Sequence, residues 1–379
     1  MPRGAAVVRM TLFASLLLAL WSLAVRGHPT HQSWAEIAAP VYAGALLIAV
    51  VWRPRTTGLT IATAVAAAGS VALPLVLLLV RRLGQPEVWV VQDGARHMLV
   101  AGTPYLHSPE SLAEFRPYLP LMFAFGALPG RWGDPRVSAT ILLLIVLVSL
   151  VLRQRRATGE ADAFRLGQSL SLLIAFPLIA QAVATSFIDV PQAALTITAL
   201  LLLSKDRFGS SGFVVGLTLA LKPTALCGLF VLALSSSARG GQSAAARFIS
   251  VAVITAAACL MPVAAIDPRA MWTNAVLFPL GLTDVESPAA SPLPGVLMRQ
   301  SGLPTSVSIV VLVVAAIVYS TWCIRTRTPD VIRTAGQLAG GLTLAFLLLP
   351  YSRVGYFVLP ALCWLPMLLA RPRSRAGSR

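Results

Sequence analysis

Apolar runs close to the roughly 20 residues that carry a helix across a bilayer recur along the whole chain. They cover residues 10–25, 35–52, 58–80, 137–152, 166–185, 190–204, 212–235, 248–266, 305–324, 335–350 and 356–370. Of the 379 residues 57% are hydrophobic and only 12% are charged, where a soluble domain carries about 25% charged residues. Mean hydropathy is +0.79. These figures exclude a soluble enzyme, a secreted disulfide scaffold and a disordered tail. The sequence predicts an all-α, polytopic integral membrane protein.

A net charge of +16 would suit nucleic acid as a partner, but its distribution points to the lipid bilayer instead. Basic residues cluster between apolar runs, as at Arg153, Arg155 and Arg156 or at Arg371, Arg373 and Arg375, and such clusters mark cytoplasmic loops. Only two of the 30 basic residues are lysines, Lys205 and Lys222. The four cysteines (Cys227, Cys259, Cys323, Cys363) lie inside apolar runs without CxxC spacing, which reads as buried small side chains rather than a zinc site.

The first run follows Arg3 and Arg9 and has no A-x-A-like cleavage site after it, so it reads as an uncleaved first helix. Residues 119–128 are apolar but too short to span and read as an interfacial helix. Residues 212–235 are interrupted by Lys222-Pro223 and read as two short crossings with a turn near Lys222. About twelve transmembrane helices result, with both termini cytoplasmic. That arrangement places 19 of 30 basic but only 4 of 14 acidic residues inside, as the positive-inside rule requires. The whole chain, 1–379, then forms one transmembrane domain of a multi-pass cell-membrane protein. Two hydrophilic stretches lie outside: an extracytoplasmic loop over 81–136 with interfacial helices, and a second over 267–303.

The first loop is the more informative. Residues 87–100 predict a surface helix with Val88, Val91, Ala95, Met98 and Leu99 on one arc and Gln92, Asp93, Arg96 and His97 on the other. Gly102-Thr103-Pro104 ends it, and Ser108-Pro109 predicts the start of a second short helix.

Asp93, then Gly102-Thr103-Pro104-Tyr105, then Tyr118-Leu119-Pro120-Leu121 resembles the first outer loop of the glycosyltransferase-C superfamily, in particular its polyprenyl-phosphate-mannose-dependent, family 87-like branch. Leu119 stands where that pattern favours proline. Gly216-Leu217-Thr218-Leu219-Ala220-Leu221-Lys222-Pro223 is similar to a G-L-A-L-A-x-K-P segment of the same proteins. The resemblance covers about residues 60–235. It implies an inverting enzyme in which a carboxylate takes the proton of an acceptor hydroxyl as that hydroxyl attacks the anomeric carbon of a lipid-phosphate sugar. Asp93 would be that catalytic base, fixed within hydrogen-bond reach of the acceptor. The departing phosphate needs cations, which Lys222, Arg96 or Arg116 would supply. His97, Tyr105 and Tyr118 belong to the same loop and join the substrate-binding set. No cofactor is implied; no residues show metal-ligand spacing, and a divalent cation stays open.

Each candidate has a plainer reading. Asp93 can be a surface carboxylate paired with Arg96 or His97, and His97 an ordinary polar-face histidine. A cation inside an apolar run is a functional candidate by default, yet Lys222 can also snorkel to the interface from a helix end; both readings place it at lipid-phosphate level. Asp189, before Val190-Pro191, suits a helix cap first and an acceptor or metal contact second. The proline-rich 287–295 segment is a lid or acceptor platform, or a linker. Arg299 and Arg353 either hold phosphate or pair with Asp284 or Glu286.

The expected activity is transfer of a sugar, in the first place mannose, from a polyprenyl-phosphate donor to an extracytoplasmic glycolipid or polysaccharide acceptor. The alternatives are a lipid-linked arabinosyltransferase and, in a different class, a transporter or lipid flippase. Transporters show internal repeats and midplane polar residues. Here polar residues gather in one outer loop.

Overall fold

The computed structural model describes residues 2–25, 27–52, 55–128 and 130–363. Among these residues every regular element is helical, with one bridge between Ala290 and Ser352.

The chain opens with α1 (Pro2–Ala24) and α2 (Pro29–Val51). Pro29 occupies the first position of α2, where no N–H is needed, and His28 Nδ1 accepts from the Thr30 amide at 3.4 Å. Then come α3 (Arg55–Ala67), a π turn (Ala68–Ala72) and α4 (Leu73–Val80), which together make one apolar span. The fully buried Trp34 indole on α2 donates to the Ser70 carbonyl in that widened turn at 2.8 Å, the partner a buried indole N–H requires. α5 (Pro86–Ala101) and the single-turn α6 (Pro120–Phe123) follow.

α7 (Pro135–Thr158) is capped by Asp134 and turns at Gly159 into α8 (Glu160–Ile174). α9 (Pro177–Thr185) leaves α8 at 70°. Phe176 is extended, as a residue before proline prefers, so the single span expected over 166–185 is broken there.

α10 (Val190–Leu203), α11 (Phe208–Leu219) and α12 (Leu226–Ala264) carry the next part of the chain. As one rod the 39 residues of α12 would reach about 58 Å, twice the bilayer core. Gly240 and Gly241 leave helical geometry, Gly241 with φ 74°, and divide α12 into two segments. The first leaves the Lys222 turn and ends with Gly240 against Phe208, at the start of α11. The second runs parallel to α11, with Gly212 on Phe248 and Gly216 on Ala252 and Thr255. A Cβ at Gly212 would lie 2.3 Å from the Phe248 carbonyl oxygen, so only a bare backbone permits this approach. The chain therefore reverses at Lys222-Pro223, as the sequence predicts.

α13 (Pro268–Trp272), a second π turn (Thr273–Leu277) and α14 (Phe278–Leu280) precede the proline-rich segment. α15 (Pro294–Gln300), α16 (Thr305–Arg325), α17 (Val331–Leu348), a 3-10 turn (Val354–Phe357) and α18 (Val358–Cys363) complete the chain as described. The remainder of the run expected over 356–370, and the arginine cluster from Arg371 onward, lie outside the described residues.

Among the described residues seven helices are long and apolar enough to cross a membrane, or eight if α8 and α9 form one bent span; here α12 counts once. α10 and α11 have 14 and 12 residues, about 21 and 18 Å against a ~30 Å hydrocarbon core. The twelve crossings expected from the sequence rest on those short helices and on dividing α12. The protein is an all-α, multi-pass membrane protein.

Two compact units are present, residues 1–89 with 130–190 and residues 90–129 with 191–379. The first packs around Trp34, Tyr42 and the wholly buried Arg136; the Tyr42 hydroxyl donates to the Ala175 carbonyl. The second packs around Phe123, Phe248 and Phe346.

Candidate functional site

The second unit holds the expected site residues except Asp189. On α5, Val88, Val91 and Ala95 are buried, while Asp93 and Arg96 face outward. Leu99, on the same apolar arc, is 73% exposed, beside Val100 at 90%. The helix therefore shows an apolar tip as well as charge, which suits a membrane surface. Gly94 sets how closely α5 can pack: a Cβ there would lie 2.3 Å from the Phe123 ring.

Asp93 Oδ1 pairs with Arg96 at 3.2 Å, both side chains being more than half exposed. His97 Nδ1 lies 2.6 Å from the Thr103 carbonyl oxygen. A carbonyl only accepts, so Nδ1 is the protonated nitrogen of that ring. Arg116 is half-buried; burial lowers its pKa below the ordinary arginine value, against the opposing pull of the Asp93 carboxylate. It donates to the Pro104 carbonyl, and its own backbone N–H donates to Asn274 Oδ1 at 2.7 Å.

The loop after α5 is built on buried groups. Tyr105, 1% exposed, donates its hydroxyl to the Tyr118 carbonyl at 2.7 Å, and burial pushes its phenol far above the usual range. The helix start expected at Ser108-Pro109 is displaced: a 3-10 turn (Leu112–Glu114) begins on Ser111, which forms a capping box with Glu114. The box needs the acid three residues on, and Ser111 has it. Leu119, Pro120, Met122 and Phe123 are buried, and the amides of Leu119 and Leu121 donate to the carbonyls of Leu221 and Ala220, each at 3.0 Å. The segment that follows α5 is thereby hydrogen-bonded to the turn that carries Lys222.

Lys222 is 8% exposed and precedes the 3-10 turn Pro223–Ala225 in extended conformation. Its Nζ stands 5.0 Å from the centroid of the Tyr356 ring. Thr224 donates to Gln192 Oε1 on α10 at 3.0 Å, which ties the turn to a second helix.

Asp267 caps α13 and meets His107 Nδ1 at 2.6 Å. The Ala270 amide, then His107, hold its carboxyl below the ordinary value of 3.8. A depressed carboxylate pKa contributes stability that is present above the unfolded value and lost as pH falls through the folded one. Asp267→Ala is therefore expected to melt below the parent at pH 6, with the gap closing as pH falls below 3.8; a gap that persists at the acid end would remove this carboxylate as its cause.

The proline-rich segment after α14 is pinned. The Ser291 amide donates to the Ser352 carbonyl at 3.0 Å, the Val354 amide donates to Ser291 Oγ at 3.1 Å, and Gly295 packs on the Leu348 carbonyl. Arg299 lies 3.6 Å from Glu286, donates to the Pro350 carbonyl at 3.3 Å and covers the Tyr351 ring at 4.3 Å. Of the two readings open for Arg299, pairing with Glu286 is present in the structure. Arg353 precedes the Val354–Phe357 turn.

Asp189 belongs to the first unit. It is buried and lies two residues after Phe187, whose φ of 95° is unusual for a side-chain-bearing residue.

With this geometry in place, residues 117–350 match glycosyltransferase family 87. The chain belongs to that family. The match takes in Tyr118, Asp189, Lys222 and Arg299, while Asp93, Arg96, His97, Tyr105, Arg116 and Arg353 lie outside its limits. No curated protein and no solved structure matches the chain at a significant level. As a family 87 member with several membrane-spanning helices, the protein is a membrane glycosyltransferase.

Sequence reading assigned no role to Tyr356, Asn274 or the His107–Asp267 pair. Tyr356 sat at the edge of an expected crossing. Arg116 and Asn274 are 158 residues apart, and His107 and Asp267 are 160 apart. No local pattern signals either contact.

Proposed function

We propose that this glycosyltransferase moves a hexose, mannose in the first place, from a polyprenyl-phosphate donor to a hydroxyl of a glycolipid or polysaccharide on the extracytoplasmic side, with inversion. The observation that carries the reading is the junction of the first outer loop with the Lys222 turn. The loop that bears Asp93 is backbone-paired to the turn of a largely buried lysine, in a chain of this family. Asp93 takes the acceptor proton, the acceptor oxygen bonds to the anomeric carbon, and the bond from that carbon to the phosphate oxygen breaks with its electron pair leaving on phosphate. Lys222, Arg116 and Arg96 supply positive charge for the departing phosphate. His97, Tyr105 and Tyr118 shape the loop, and Arg353 and Arg299 complete the proposed substrate-binding set.

A lysine at a lipid interface suits a donor whose phosphate is anchored in the membrane. Protein in nanodiscs, given a membrane lipid extract as acceptor, is expected to transfer labelled mannose from a polyprenyl-phosphate donor and not from a nucleotide-linked one. Transfer from the nucleotide sugar alone would overturn the proposal.

A further inference from the structure

In the segment after α5, Arg116 is fixed at two points. Its backbone N–H donates to Asn274 Oδ1 at 2.7 Å, and Nη1 of its guanidinium donates to the Pro104 carbonyl. A planar fork held in advance loses less freedom when it meets an anion than a free side chain does. The Nη1 bond leaves the side-on fork, made of Nε and Nη2, and among the described residues neither nitrogen has a partner. In Arg136 the same fork meets both oxygens of the Asp134 carboxylate, at 2.9 and 2.7 Å. Arg116 is half-buried, and a guanidinium only donates, so its two unspent nitrogens call for an acceptor with two oxygens. Asp93 is close enough for its carboxylate to act on the Arg116 charge, but it is Arg96 that it pairs with.

Asn274 is wholly buried and lies in the π turn between α13 and α14. Its Nδ2 donates to the Ala270 carbonyl at 2.9 Å, so the amide is held by its own helix while its oxygen serves Arg116. Two further contacts bind the same stretches together. Phe115 stacks on Phe278 with ring centroids 4.3 Å apart and planes 17° from parallel, and His107 meets Asp267. Residues 267–278 thereby clamp residues 107–116, and the clamp closes on the backbone of Arg116. A π turn widens the helix locally and recurs at functional sites; here it carries the asparagine that sets the arginine.

We infer that the Nε–Nη2 fork of Arg116 clasps the donor phosphate through two parallel hydrogen bonds, and that Asn274 is the positioning residue that holds this fork in place. The inference rests on the proposed function, in which Arg116 supplies positive charge. It adds that the fork matters beyond the charge, and that Asn274 acts only through Arg116.

The test measures binding of a short synthetic polyprenyl phosphate, and of the matching alcohol as a reference, to the detergent-solubilised full chain. Arg116→Lys keeps the charge and the backbone N–H but loses the fork. It is expected to raise the phosphate Kd about tenfold, the size of one hydrogen bond to a charged group, while alcohol binding stays put. Asn274→Ala is expected to raise the same Kd about three- to tenfold and, in transfer assays, to raise donor KM more than it lowers kcat. In an Arg116→Gln background Asn274→Ala should add nothing further. Phe278→Leu loosens the same segment through the Phe115 stack and is held to the same outcomes, so the positioning role stays testable even where Asn274→Ala does not fold. Normal phosphate affinity in Arg116→Lys overturns the fork, because charge alone then suffices. A loss in Asn274→Ala that extends to the alcohol, or that persists in the Arg116→Gln background, is a general structural effect and overturns the positioning role. Normal affinity in Arg116→Gln overturns the whole inference, while donor use in the nanodisc transfer assay still decides the proposed function separately.

Discussion

Asp93→Asn is expected to lower sugar transfer at saturating donor by about 10²- to 10⁴-fold, the range that a positioned general base contributes. The amide keeps the size of the side chain and can still accept a hydrogen bond from an acceptor hydroxyl, but it cannot take up the proton. The structure makes the experiment clean. Asp93 is 59% exposed at the side chain and its ionic partner Arg96 is 76% exposed; such surface pairs contribute about 0–1 kcal/mol. The variant should therefore fold and melt like the parent. Arg96→Gln removes the same pair while keeping the carboxylate, and is expected to cost far less activity. Single-turnover transfer with preformed donor complex is the measurement to use. Equal losses in the two variants would mean that the pair, and not proton uptake, is what matters.

The contrast between Asp93 and its surroundings shows what the sequence could reveal. Periodicity alone placed Val88, Val91 and Ala95 on one arc and Asp93 and Arg96 on the opposite one, because one helix can be read from one stretch of chain. It could not separate Leu99 from the buried members of its arc, because a core-facing arc and a lipid-facing tip carry the same residue types. The break at Lys222-Pro223 was legible for a local reason: proline stops a helix and a lysine marks an interface. The division of α12 was legible only in part, since a Gly-Gly pair permits a reversal without requiring one. The shortness of 119–128 is visible in the sequence, while its backbone partners at Ala220 and Leu221 are not. The Tyr356 ring over Lys222 joins residues 134 positions apart, and nothing within either stretch announces the other.

Arg136 received no role from the sequence at all, although its substitution is expected to have the largest effect on stability. The side chain is wholly buried. Its Nε and Nη2 meet the two Asp134 carboxylate oxygens at 2.9 and 2.7 Å, and Nη1 donates to the carbonyls of Leu83 and Ala184 at 2.7 and 3.0 Å. One guanidinium thus joins the end of α4, the start of α7 and the end of α9, all within the first unit. Arg136→Met keeps the apolar stem but strands a carboxylate that is 10% exposed and leaves two carbonyls without this donor. Breaking a buried pair in this way costs about 3–5 kcal/mol. Asp134→Asn combined with Arg136→Met removes the stranded charge, and asparagine still caps α7, so the double variant should recover part of the loss. Thermal unfolding in one detergent, followed for both variants, measures the difference. If the double variant is no more stable than the single one, the penalty lies in the orphaned carbonyls rather than in the buried charge, and the junction of three helix ends is held by hydrogen bonding more than by the ion pair.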